Sequence, residues 1–180
     1  MIKYLILLVS IISLYPASAK HSKPVIGKTC MLTKSLQIDD LVNKSGKIFV
    51  GKFLSAEESR VNGLDVRKLR FQVEEPIKGV SAKNKFITIN EWARLNSPFV
   101  DKVVKDKKYV FFFYQDSARG LTSLVGLDQG FASVGKSDQL SFSKRVNLKP
   151  KRAAKLSLTS PQKVSIPAEV HTIQDLKAIL

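Results

Sequence analysis

The chain has 180 residues, 44% of them hydrophobic and 25% charged, enough for one domain of ordinary size and a tail. Its 30 Lys and Arg against 15 Asp and Glu give a formal net charge of +15, which favours anionic partners, although the lysines are scattered and focus no single field. The one cysteine, Cys30, excludes an intrachain disulfide, so the fold has to be held by its core.

Residues 1–19 read as a secretion signal. Lys3 supplies the basic start, Leu5 to Leu14 form an apolar run interrupted by Ser10 and Ser13, and Ala17-Ser18-Ala19 place small residues where signal peptidase cuts. The run is short for a bilayer crossing, and Pro16 ends it. The expected mature chain begins at Lys20, is secreted or periplasmic and has no transmembrane segment. An uncleaved N-terminal anchor is the alternative reading of the same pattern. Cys30 lies well beyond the apolar run, which argues against lipid attachment there. It reads as a small buried apolar residue, with a reactive or intermolecular thiol as the alternative. Export also makes nucleic acid an unexpected partner.

Residues 20–34 look like an extended basic entry segment. Ser35 then reads as a helix N-cap, with Asp39 and Asp40 complementing the dipole in the first turn. Ile38, Leu41 and Val42 share one apolar face, and Lys44 with Gly46 marks the stop. Residues 47–54 form an apolar strand, with Gly51 at a bulge or a close backbone approach. Asn62-Gly63 is a hairpin signal. Beyond it Leu69, Phe71 and Val73 alternate with Lys68, Arg70, Gln72 and Glu74, a strand with one wet face that Pro76 and Lys78-Gly79 should end. FITINEW, residues 86–92, is a further strand, and the unbroken apolar run Tyr109 to Tyr114 predicts a central strand covered on both faces. Weaker strands are expected near Phe131 to Val134 and Leu140 to Val146. The fold class is therefore mainly β: a small antiparallel OB-like barrel of five to six strands over residues 20–146, with a short N-terminal helix.

Residues 147–168 are basic and proline-containing, without aromatics, and read as a linker or arm along the surface. Thr172-Ile173-Gln174-Asp175 matches a capping box and opens a tail helix within 169–180, on which Ile173, Leu176 and Leu180 share a face. Such a short helix has to dock, either on its own barrel or in a partner's groove.

The constellations that carry catalysis are not found. His21, His171 and Cys30 are scattered, no cluster has metal-ligand spacing, and no G-x-S-x-G elbow or phosphate loop occurs. The adjacent pairs Asp39-Asp40, Glu57-Glu58 and Glu74-Glu75 point apart on a helix or strand and read as solvated surface. The expectation is a protein that is not an enzyme and that takes no cofactor and no metal.

The segments IFVGKFLSAEE, VRKLRFQVEEPIKGV, FITINEW and KKYVFFFY occur in this order. They resemble bacterial exported proteins of the TIMP/netrin-module type, whose fold is an OB-like barrel, and the later run Gly120 to Gly126 with Gln129-Gly130-Phe131 resembles a recurrent block of exported bacterial proteins. The resemblance covers about residues 30–135. Animal members of that superfamily inhibit zinc metalloproteases through an N-terminal cysteine, whose amine and carbonyl reach the active-site metal. Here the expected N-terminus is Lys20, Cys30 lies inside the chain and the family's cysteine pairs are missing, so that role is not carried over.

Two functions follow as expectations. The first is an exported binding module that engages a protein, with a secreted protease as one candidate target. Its surface is sought at Glu91, Trp92 and Arg94 and at the loop Gly120, Leu121, Thr122 and Ser123, although that loop also reads as a turn or edge segment and Trp92 as a core aromatic. The second is an envelope-associated protein that binds anionic polymer through Lys144, Arg145, Lys149, Lys151, Arg152 and Lys155.

Overall fold

The computed structural model describes residues 34–95, 97, 99–142, 145–150 and 169–180. The expected signal segment, Cys30 and the arm residues Lys144, Lys151, Arg152 and Lys155 lie outside the described residues.

Ser45–Val61 (β2) and Leu64–Lys78 (β3) make one long antiparallel hairpin. Asn62 at φ 51° and Gly63 at φ 76° are both left-handed, the geometry whose twist matches the flanking strands in a two-residue turn. Pro76 does not end β3 as expected. It faces Phe49 where the register slips between Ile48 and Phe49, a position at which a missing N–H does not break the ladder. The strand does stop at Lys78-Gly79, the other expected terminator, where the φ of Gly79 is 64°. Gly51 does sit at a register shift, and a Cβ there would run into the Gln72 carbonyl, so both parts of its reading hold.

Phe86–Trp92 (β4) pairs with β3, and Lys108–Tyr114 (β5) pairs with β2 on the other side. Phe131–Val134 (β6) and Leu140–Phe142 (β7) extend the sheet beyond β5. The result is a six-stranded antiparallel sheet of order β4-β3-β2-β5-β6-β7. Among the described residues no pairing joins β4 to β7, so the expected closed barrel is not found. β6 and β7 are only 4 and 3 residues long and do not reach round to the far edge.

Period-2 alternation divides the core into two clusters. Phe49 and Phe53 of β2, Leu69 and Phe71 of β3, Ile89 of β4, and Tyr109, Phe111 and Phe113 of β5 face one side. Phe99, from the short helix Phe99–Lys102 (α2), is fully buried in that cluster. Its ring centroid lies 5.7 Å from Phe53 and 6.2 Å from Phe131, within the spacing that favours edge-to-face contact. Ile48, Val50, Val110 and Phe112 face the other side, where two helices cover them. β5 thus contributes to both clusters, as its unbroken apolar run predicts.

The first of these helices starts later than expected. Leu36–Gln37 (β1) pairs in parallel with Val146–Asn147 (β8), which keeps the chain extended and delays the helix to Ile38–Lys44 (α1). Ser35 is therefore not the N-cap; its hydroxyl donates to the Arg145 carbonyl. Gln37 takes that place, and its N–H donates to Asp40 Oδ2 at 3.4 Å. Asp39 is 7% exposed, so the expectation of a solvated Asp39-Asp40 pair fails for that member. It belongs to the first turn, the end of the helix that the β1–β8 pairing ties down and where unpaired N–H groups favour negative charge.

The tail helix, Ile173–Ala178 (α3), carries the expected capping box: Asp175 N–H donates to Thr172 Oγ1 at 3.1 Å, and Thr172 N–H to Asp175 Oδ2 at 2.9 Å. It docks on its own chain. Ile173, Leu176 and Ile179 join the cluster under α1, while Leu180, expected on that face, is exposed because the helix has already ended. Leu140 N–H donates to the His171 carbonyl at 2.7 Å, and the Lys177 ammonium pairs with Glu75 of β3.

Candidate functional site

β4 positions the residues singled out for binding, and its alternation decides their surroundings. Ile87, Ile89 and Glu91 turn inward, while Phe86, Thr88, Asn90 and Trp92 turn outward. Glu91 is 0% exposed, which removes it from any contact surface. Trp92 is 48% exposed, against the expectation of a core aromatic, because it shares the outward parity of Thr88. Arg94 is exposed in the single 3-10 turn Ala93–Leu95 that follows.

Glu91 lies opposite Arg67 in the β3–β4 register. Neither of its carboxyl oxygens makes a hydrogen bond of standard geometry, and neither does the buried Ser97 hydroxyl beside it nor Asn90 Oδ1. Burial pushes the Glu91 carboxyl up from its ordinary value, opposed by the Ser97 hydroxyl and by the Arg67 charge. Enclosed in this way, the carboxyl has no exposed face to offer a substrate. Among the described residues no group of three or more His, Cys, Asp or Glu could hold a metal ion, and no helix is long and apolar enough to cross a membrane.

The second candidate, the 120–123 loop, comes up against β4. Gly120, at φ 70°, forms the exposed tip of a turn in which Ser117 N–H donates to the Leu121 carbonyl at 2.8 Å and Ser117 Oγ accepts from Leu121 N–H at 3.1 Å. Thr122 is buried: its N–H donates to the Asn90 carbonyl at 2.9 Å and its hydroxyl to the Tyr114 carbonyl at 2.8 Å. The Ser123 carbonyl accepts from Tyr114 N–H at 3.0 Å, and Leu124 bridges to Phe113. Thr122 and Ser123 thus serve structure, joining the ends of β4 and β5, while Gly120 and the half-buried Leu121 remain at the surface. The two candidate groups meet at Asn90, one residue from Glu91 and two from Trp92.

Of the basic arm, Arg145 and Lys149 are described. Arg145 is exposed, and Lys149 Nζ stands 3.6 Å from Glu169. At the opposite end of β4, Phe86 is 53% exposed with the Arg70 guanidinium 5.6 Å above its ring. Phe86 was not among the expected site residues, although it shares the outward parity of Trp92. No protein-family model matches this chain, no curated protein matches it, and no solved structure matches it.

Proposed function

We propose that this is an exported, non-enzymatic binding module that presents β4 to a protein partner. The observation that carries the reading is the pair of large aromatics at the two ends of that strand, Phe86 at 53% and Trp92 at 48% exposure. Keeping aromatic surface in water is costly, and aromatic anchors concentrate at interfaces. Export rests on the pattern of residues 1–19, with a secreted or periplasmic location. The enclosed Glu91 and the scattered histidines and cysteine support binding rather than turnover.

The scaffold we propose is an OB-like barrel in rudimentary form. Supporting it, the segment 122–124 donates to β4 at Asn90 and bridges to β5 at Phe113, standing between the two strands in the place of a short closing strand.

The test passes the exported fraction of the native organism over immobilised chain 20–180 and over a Phe86→Ala/Trp92→Ala variant, with a salt gradient. Retention at high salt of a discrete protein that the variant loses is the expected result. Retention of polymer alone, released at low salt from both forms alike, would replace the reading with that of a basic envelope protein.

A further inference from the structure

Resting on the binding-module reading, we infer that the free edge of β4 at Phe86–Thr88 takes an extended acidic peptide by strand addition. The ladder fixes which backbone groups are available. Val73 N–H donates to the Lys85 carbonyl at 2.8 Å, and residues 73 and 85 continue the register Gln72↔Phe86. Residues 85, 87, 89 and 91 therefore spend their N–H and C=O on β3, and Phe86, Thr88, Asn90 and Trp92 direct theirs to the opposite edge. The Asn90 carbonyl shows that direction, since Thr122 N–H reaches it from outside the sheet at 2.9 Å. Among the described residues nothing takes the backbone groups of Phe86 or Thr88.

Open edges of this kind template another strand unless the protein blunts them. This one is flanked by a groove on each face. Lys68, Arg70 and Phe86 line the outer one, and Val80, Asn84 and Ile87 the other. An added strand would send alternate side chains into the two, which is how strand addition gains both affinity and specificity.

Charge selects the occupant. The outer groove also holds Glu57, opposite Lys68 in the β2–β3 register, but two cations stand there against that one acid. Among the described residues Lys68, Arg70, Lys83 and Lys85 make no ion pair, whereas Lys47 and Lys52 are matched to Asp116 and Glu74. A second copy of this chain would bring the same unmatched cations face to face, on a protein that already carries +15. A peptide with acidic side chains at every second position would instead set them against Lys68 and Arg70, while its small apolar side chains meet Val80 and Ile87.

The probes are N-acetylated, C-amidated octapeptides: (Glu-Val)4, (Lys-Val)4, and (Glu-Val)4 with proline at one central position. Binding to chain 20–180 is followed by amide chemical shifts and by the fluorescence of Trp92, the only tryptophan. The expected result is saturable binding of the acidic peptide with the largest shifts at Phe86 and Thr88, and affinity at least tenfold weaker for the other two probes. Thr88→Pro, which deletes an outward N–H and leaves the β3 ladder intact, should cost at least tenfold. Lys68→Glu/Arg70→Glu keeps the backbone and should invert the preference toward the basic peptide, so it decides the matter if the proline variant does not fold. Equal binding of straight and proline-interrupted peptides, or shifts spread over the whole surface, overturns the inference. If the native partner is retained on the column while the acidic peptide leaves β4 unmoved, strand addition fails and the binding-module reading stands. If neither binds, both fall.

Discussion

Glu91 and Arg67 face each other across the β3–β4 ladder, and the acid is the more deeply buried of the two: Glu91 is 0% exposed, whereas Arg67 keeps partial contact with solvent. The carboxylate gives up its water without gaining a hydrogen bond of standard geometry, so its charged form is the disfavoured one.

That imbalance sets a pH dependence with a definite sign. Burial raises the folded-state pKa of Glu91 above its ordinary 4.5, with Ser97 and Arg67 opposing. Between the unfolded and the folded values the native state binds the extra proton. Stability from this group is thus fully present below the unfolded pKa and lost as pH rises through the folded one. Glu91→Gln should remove that decline, leaving stability higher than wild type at pH 8 and close to it at pH 4. Urea melts across this range check it; parallel curves for the two proteins would refute the assignment. Asp175 works the other way. Its own desolvation raises its pKa, but the Thr172 hydroxyl, the backbone N–H groups of His171 and Thr172, and the His171 charge together outweigh this and lower it. Its contribution is present above the unfolded carboxylate value and is lost as pH falls through the lowered one.

Gln129 is the opposite case to Glu91, a buried polar group that is satisfied. It is 0% exposed, its Oε1 accepts from Leu36 N–H at 2.9 Å and its Nε2 donates to the Lys34 carbonyl at 3.2 Å. It thereby holds the entry segment that leads into β1 and α1. Gln129→Leu should cost about 1–3 kcal/mol, the price of stranding a covered N–H, and should raise the hydrogen exchange of Leu36 well before that of β5. Unchanged exchange at Leu36 would show that the β1–β8 pairing alone secures the segment.

How much of this was legible in the residues follows their periodicity. β4, β5 and β6 fall where alternation or an unbroken apolar run places them, because those patterns report burial directly. Glu91 could have been placed indoors by the same rule, since it shares parity with Ile87 and Ile89; its charge hid the signal. Trp92 and Phe86 likewise declare their outward face through Thr88 and Asn90. What alternation cannot reveal is pairing between distant segments. The β1–β8 contact spans more than a hundred residues, joining Leu36 to Val146, and it overrides the local capping preference of Ser35. The grip of Thr122 on Asn90 is of the same kind, a hydroxyl-rich turn whose role depends on where β4 ends. Phe99 gave no pattern because α2, which it opens, is a single turn too short to show a period, yet its ring fills the cluster beneath β2 and β5.

Two glycines with nearly the same backbone separate conformational strain from collision. Gly63 at φ 76° has open space where a Cβ would go, and Gly79 at φ 64° would drive one into the Gly46 carbonyl. Gly63→Ala should cost about 1 kcal/mol, the left-handed penalty alone. Gly79→Ala adds a backbone clash at the end of the hairpin and should cost about 3 kcal/mol or more. Thermal melts of the pair test it, and equal losses would mean that the 78–80 turn moves aside.

Stability and recognition should also separate along the two faces of the sheet. Phe111 is fully buried, with ring centroids 4.8 Å from Phe71 and 5.4 Å from Phe49, so Phe111→Ala leaves a void that neighbouring rings cannot close and should cost about 3–5 kcal/mol. Trp92 has no such partners at its exposed end, and Trp92→Ala should change stability by no more than about 0.5 kcal/mol. If β4 is the contact strand, that same substitution weakens partner retention while the circular dichroism spectrum and melting curve stay as they were. A Trp92→Ala protein that melts several degrees lower would instead make the indole part of the structural core, and the case for β4 would then rest on Phe86 and the unpaired backbone beside it.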